Sequence, residues 1–166
     1  LARSNKKTPN ALGNYINIVV ADYIHVRAIY NLDKDFHPYP MPKKWWAEKI
    51  GSDPGYVVYA AVCGDTKITV GYVVTSYNDN PKVLRIERLL VAPNYRRYKV
   101  GTMLVLRVLA DMPPVATNLV YLVPELDLPT HLFLRACGFR ARLPIKANAF
   151  PMYENSNGIR FFYRGR

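Results

Sequence analysis

Residues 84–110 read LRIERLLV, APNYRRYK and VGTMLVLRVLA, and this succession decides the arrangement of the rest of the chain. The first segment has the apolar, branched character of a strand, the second is a basic turn carrying Pro93, and the third is an apolar helix with Gly101 in its first turn. A helix opened in this way offers backbone N–H groups without intrahelical partners, and its macrodipole adds about half a positive charge at that end. Arg96, Arg97 and Lys99 crowd the same place. Such a site suits a polyanion, for example the pyrophosphate of a nucleotide-containing cofactor.

Upstream, YINIVV at 15–20 reads as a strand, and Asp22 then starts a helical pattern with Ile24, Ala28 and Ile29 on one side. Three prolines in HPYPMP at 37–42 must interrupt any helix, and KKWWAEKI forms a short one after them. GYVVYAAVCG and KITVGYVVTSY are strands joined by a hairpin at Gly64-Asp65, and NDNP at 78–81 turns the chain into LRIERLLV. Downstream, the helix from Val100 stops before Pro113-Pro114, NLVYLV at 118–123 is a buried strand, and LPTHLFLRA starts a helix ended by Gly138. GFRARL and GIRFFYR supply two final strands. The order is strand, two helices, three antiparallel strands, helix, strand, helix, two strands: an α+β domain with a mixed sheet and helices on its faces.

Composition narrows the function. The chain has 166 residues, half of them hydrophobic, enough for one well-buried core; we read residues 1–13 as a loose polar arm and 14–166 as a single domain. Cys63 and Cys137 lie far apart, with no paired spacing or histidine cluster, so neither a disulfide framework nor a zinc site is expected and a reducing cytoplasm fits best. The chain begins with Leu1, and a leader preceding it would be invisible. No apolar run is long enough to span a bilayer. The net charge of +11 raises a nucleic-acid reading, but the cations are dispersed from Lys6 to Arg166, and an acidic ligand accounts for them at least as well.

The stretch from Val91 to Leu104, with Val91-Ala92-Pro93 followed by Arg96 through Gly101, resembles the acyl-CoA-binding signature of the GNAT family of N-acetyltransferases. In that signature a strand ends in V-x-P and Q/R-x-x-G-x-G/A opens a helix. Leu132 to Phe139 is similar to the family's second motif, a helix ending in F-Y-x-x-x-G-F. The resemblance implies a central, mostly antiparallel sheet of six to seven strands with a splay, flanked by about four helices. It implies acetyl-CoA as cofactor, its pantetheine arm beside Leu89, Leu90 and Val91, and its pyrophosphate on the N–H groups of Arg97, Tyr98, Lys99, Val100, Gly101 and Thr102. Arg96 and Arg97 would add charge-assisted contacts, and Phe133 joins the cofactor set. The family's first motif glycine is Lys99 here, and we expect the lysine to keep the turn in an ordinary conformation while offering its ammonium to a phosphate.

Acetyl transfer by direct attack needs a neutral amine, a polarised thioester carbonyl and a proton for the thiolate. Glu87 is the candidate base, since alternation places it with Leu89 and Val91 on one side of the strand; an ion pair with Arg85, Arg88 or a core-edge lysine is the equal alternative. Glu125, after the NLVYLV strand, is a second candidate near the same cleft. The resemblance puts a tyrosine acid four residues before the glycine of the second motif, a position held here by Leu134. Tyr153, Tyr163 or Tyr98 replaces it, or water does, or the thiolate leaves unassisted, or the domain binds acyl-CoA without catalysis. Cys137 reads as a small buried residue rather than a nucleophile. His25, His37 and His131 form no metal set, with His131 a helix-face residue that could instead reach the cofactor. Phe36, Tyr39, Trp45 and Trp46 fall where the fold has one wall of its acceptor groove, and aromatic core is the equal alternative for them.

With Asp35-Phe36-His37-Pro38, a short helix after it and the ending Gly138-Phe139-Arg140-Ala141, the layout most resembles ribosomal-protein N-terminal acetyltransferase-like members, although the base position of those enzymes is Leu122 here. The function expected is acetyl-CoA-dependent N-acetylation of a protein N-terminus, a lysine or a small amine, by a monomer or homodimer.

Overall fold

The computed structural model describes residues 16–64, 66–77, 80–145 and 158–164. They build a seven-stranded sheet from β1 (Ile16–Val20), β2 (Tyr56–Cys63), β3 (Thr69–Tyr77), β4 (Val83–Val91), β5 (Asn118–Pro124), β6 (Arg140–Ile145) and β7 (Gly158–Arg164), in the order β1-β2-β3-β4-β5-β7-β6. Neighbours run antiparallel except β4 and β5, which are parallel and so need a crossover connection. Four helices pack on the sheet: α1 (Val26–Phe36), α2 (Lys43–Gly51), α3 (Val100–Ala110) and α4 (Leu128–Ala136). The arm expected at residues 1–13 lies outside the described residues.

Each face of the sheet has its own core. Ile29 of α1 and Trp46 of α2 bury against Val58, Ala60, Tyr72, Val74 and Leu90. On the other face Val100, Leu104, Val105 and Val108 of α3 and Leu134 of α4 bury against Leu84, Ile86, Leu119 and Phe161. The mostly antiparallel sheet, its parallel pair and its four helices match the expected α+β fold.

Local chemistry sets the element ends. Asp22 caps a 3₁₀ turn, Tyr23–His25, through a reciprocal box with His25, and α1 follows directly. That tighter turn shifts the helical phase, so Ile24 is 63% exposed and the buried stripe runs through Ile29, Leu32 and Asp33 instead of the expected Ile24, Ala28 and Ile29. His37, preceding Pro38, is extended and ends α1. At the end of α4, Gly138 takes φ +88 while its N–H donates to Arg135 O and that of Phe139 to Leu134 O, a Schellman closure in which Phe139 and Leu134 share the core.

Candidate active site

The site arises where two parallel strands part. β4 and β5 are paired only from Val83↔Asn118 to Ile86↔Tyr121; beyond this point they diverge. On its other edge β4 stays bound to β3, and Ala92 N–H donates to Val70 O at 2.8 Å. Alternation then directs the peptide groups of Leu90 and Ala92 at β3 and turns those of Leu89 and Val91 toward the gap. Arg96 Nε reaches back to Val91 O at 3.1 Å from this open side. The gap continues into a cleft of about 1280 Å³ bounded by β4, β5, the start of α3, α4 and the segment after α1.

At the wide end of the gap stands the N-terminus of α3. The N–H groups of Val100, Gly101 and Thr102 belong to the first turn and have no helical acceptor. A Cβ on Gly101 would come within 3.2 Å of the Phe133 ring, so glycine lets α3 and α4 approach closely beside the cleft. Lys99 departs from expectation: it caps the helix with φ 62 and ψ 11, the left-handed conformation natural to glycine, and Arg97 has φ 68. The loop keeps the glycine geometry, and each side chain carries a cost of about 1–2 kcal/mol for it. Arg96, Arg97 and Lys99 are exposed and line the cleft. The ring of Tyr98 packs toward the α3-side core and is not part of the cleft wall, because its apolar body finds cover there.

At the vertex lies Glu87. The β3–β4 register slips between Val74 and Thr75, leaving Glu87 as the extra residue of a bulge between Ile86 and Arg88. The bulge resets the alternation, so Glu87 does not share a side with Leu89 and Val91 as expected. Leu89 and Val91 pack on the α3 face; Glu87 accepts a hydrogen bond from Ser76 Oγ, on the face of Tyr72 and Val74 that α1 and α2 cover. Glu87 is half-buried, lines the cleft and is not paired with Arg88.

Arg88 instead turns to Asp33. Its Nη2 donates to Asp33 Oδ1 at 2.8 Å and to Tyr39 O at 2.7 Å, while Asp33 also accepts from the Tyr72 hydroxyl and, at 2.7 Å, from Met41 N. Asp33 is wholly buried. Burial, then the adjacent carboxylate, pushes the Tyr72 phenol far up. The network fastens α1, the proline segment and two strands together beside Glu87. The sequence signal was available: Asp33 falls in the apolar stripe of α1, where an acid must find a buried partner. Phe36 and Trp45 line the cleft as expected; Trp46 is sealed in the core, and Tyr39 contributes its carbonyl to Arg88. His37 also lines the cleft, its pKa lowered by burial and by Arg88.

Other candidates fall elsewhere. Glu125 is exposed on the turn after β5 and does not line the cleft. His131 is buried against Phe161, with Nε2 2.8 Å from Pro124 O, and so ties α4 to β5 rather than idling on a helix face. Burial raises the Cys137 pKa, partly offset by Thr102, which disfavours the nucleophilic thiolate. Tyr163 packs behind Gly138 and Phe139, outside the cleft wall. Tyr153 lies outside the described residues. Leu134 is fully buried, whereas Leu122, the strand position expected to hold a base in one subgroup, lines the cleft without one.

A splayed parallel pair with free peptide groups, a basic helix N-terminus at its wide end and a carboxylate at its vertex define an acyl-CoA-dependent acyltransferase fold. The sequence profile of the acetyltransferase (GNAT) family matches residues 26–139, and the chain belongs to that family. No curated protein sequence matches the chain. Among solved structures, Arabidopsis thaliana NAA60 in complex with a bisubstrate analogue superposes with a TM-score of 0.77 at 15% identity, over 91% of this chain and 99% of that one. The ribosomal-protein-S18-alanine N-acetyltransferase from Escherichia coli gives 0.75 at 14% identity, over 90% of this chain and 94% of its own. Spermidine/spermine N-acetyltransferase SpeG from Vibrio cholerae gives 0.74 at 14%, over 93% and 95%. Among the described residues no helix is long and apolar enough to cross a membrane.

Proposed function

We propose that this chain moves the acetyl group of acetyl-CoA directly to an amine of a polypeptide, with the α-amine of a protein N-terminus as preferred acceptor. The observation that carries the reading is the placement of Glu87 by the bulge, at the vertex of the splay and on the face opposite the α3 core. The Leu89 carbonyl and the Val91 N–H, both turned toward the gap, suit the amides of a pantetheine arm. The first turn of α3, with Arg96, Arg97 and Lys99, suits the pyrophosphate. The thioester then belongs at the narrow end, beside Glu87.

Glu87 takes a proton from the acceptor ammonium, leaving a lone pair to attack the thioester carbon. The N–H of Leu89 holds the developing oxyanion. As the C–S bond breaks, the electron pair goes to sulfur, and the nitrogen sheds its second proton to form the amide.

The acceptor class follows from charge and basicity. The cleft wall holds two carboxylates, Glu87 and Asp127, and lacks the acidic lining that the several ammonium groups of a polyamine call for. An α-amine, with a pKa of about 8 against about 10.4 for lysine, is far easier for a single carboxylate to deprotonate near neutrality. The enzymes acting on a ribosomal-protein alanine and the SpeG enzymes share the fold, so charge in the groove, not fold, separates the readings.

Calorimetry with CoA, then thiol release from acetyl-CoA over N-terminal peptides, N-blocked lysine peptides and spermidine, tests the proposal. N-terminal peptides are expected to turn over fastest. CoA binding with no turnover on any amine would instead favour a silent acyl-CoA-binding domain, and preferred acetylation of spermidine would overturn the acceptor assignment.

A further inference from the structure

Acetyl transfer needs a proton for the departing sulfur, and the second-motif position that the family resemblance assigns to the donor is a sealed leucine, Leu134. We propose that Tyr121 is the general acid of this chain, an inference that rests on the acetyltransferase reading above.

Three observations converge on Tyr121. It pairs with Ile86 in the last rung before β4 and β5 part, so it stands at the vertex where the thioester belongs. It is half-buried and lines the cleft. Its ring packs with the core on the α3 and α4 face, the cluster that also holds Leu134, whereas Glu87 is bonded to Ser76 on the opposite face.

This opposition matches the reaction. The amine approaches the carbonyl carbon from Glu87's side, and the sulfur is expelled toward the other. Tyr121 O–H gives its proton to sulfur as the C–S bond breaks, yielding the CoA thiol, and the phenolate recovers a proton from water. Glu87 passes one amine proton to solvent and the nitrogen sheds the other to water, so the net products are the amide, CoA thiol and one proton.

The other described hydroxyls of the cleft are less well placed. Tyr95 and Thr102 flank the basic turn and the start of α3 at the wide end, Thr130 sits on the first turn of α4, and Tyr56 belongs to the wall beside Trp45. Tyr98 and Tyr163 do not reach the cleft wall.

Tyr121→Phe is the test, read with the acceptor peptide that wild type turns over fastest. The expected result is a fall in kcat of about 100-fold, with loss of the basic limb of the kcat–pH profile, at unchanged Tm and CoA affinity. Site-specific replacement of Tyr121 by 3,5-difluorotyrosine, which keeps the hydroxyl and lowers its pKa, should retain turnover and move the basic limb to lower pH. A kcat within about threefold of wild type for Tyr121→Phe across the pH range, or a basic limb that the fluorinated residue leaves in place, overturns the assignment. Those results would leave wild-type turnover intact; wild type that binds CoA but acetylates no amine would instead remove the acetyltransferase reading, and the acid with it.

Discussion

Lys99 holds a backbone conformation that costs a side chain free energy, at the position where the family signature has glycine. Two effects therefore oppose one another at a single residue. Lys99→Gly should relieve the left-handed strain and raise stability by about 1 kcal/mol in denaturant unfolding. It should also weaken CoA binding at low ionic strength, with the difference shrinking as salt screens the ammonium; equal affinities at low salt would show that Lys99 does not face the phosphates. The motif departure was plain in the sequence, but its φ was not, because the turn connecting β4 to α3 imposes it. At Cys137 the two levels agree. Its pKa is raised by burial, so Cys137→Ala should keep turnover within about threefold of wild type, and loss of activity would revive covalent catalysis.

Among the elements, β4 shows most clearly where sequence reading stops. Its helix-facing and cleft-facing residues could be assigned by alternation only if the ladder were regular, and the slip against β3 moved Glu87 to the other face. Nothing in LRIERLLV marks a bulge, since no glycine or proline interrupts it; the offset exists only in the pairing of two strands. Asp33 was legible in principle as an acid in an apolar stripe, yet its partner, Arg88, lies far along the chain and only the folded sheet brings the two together. Asp33→Ala leaves the guanidinium buried and unpaired, and should cost about 3–5 kcal/mol in equilibrium unfolding. Loss of less than about 1 kcal/mol would mean that Arg88 finds water or another partner. The same variant should raise KM for the peptide, because the wall beside Glu87 loses its fastening.

For the whole molecule, the order of elements was legible because each depends on local pattern, whereas the sheet's splay was anticipated only through the family resemblance carried by the two motifs that bracket α3, β5 and α4. The cleft wall formed by the end of α1, the proline segment and α2 was less legible: it is one continuous stretch of chain, but what holds it in place is the meeting of Asp33 with Tyr72 and Arg88 from distant strands. His37 in that wall gives the fold a pH signature. Its folded pKa is depressed below the ordinary 6.5, by burial and by Arg88, so the neutral ring contributes stability that is present above 6.5 and lost as pH falls through the folded pKa. Thermal unfolding should therefore show a Tm that declines below pH 6.5, and His37→Asn should flatten part of that decline; an unchanged slope would assign it to carboxylates instead.

The proposed activity turns on a carboxylate at the vertex of a splayed sheet acting on an amine beside a thioester. Initial rates of acetyl-CoA cleavage with an N-terminal peptide, the product read by mass spectrometry, address this directly in wild type and Glu87→Gln. The prediction is a peptide acetylated at its α-amine by wild type, and a fall of about 100-fold in kcat for Glu87→Gln at unchanged CoA affinity, most pronounced at low pH where the amine is protonated. Equal rates for the two proteins across the pH range would contradict it.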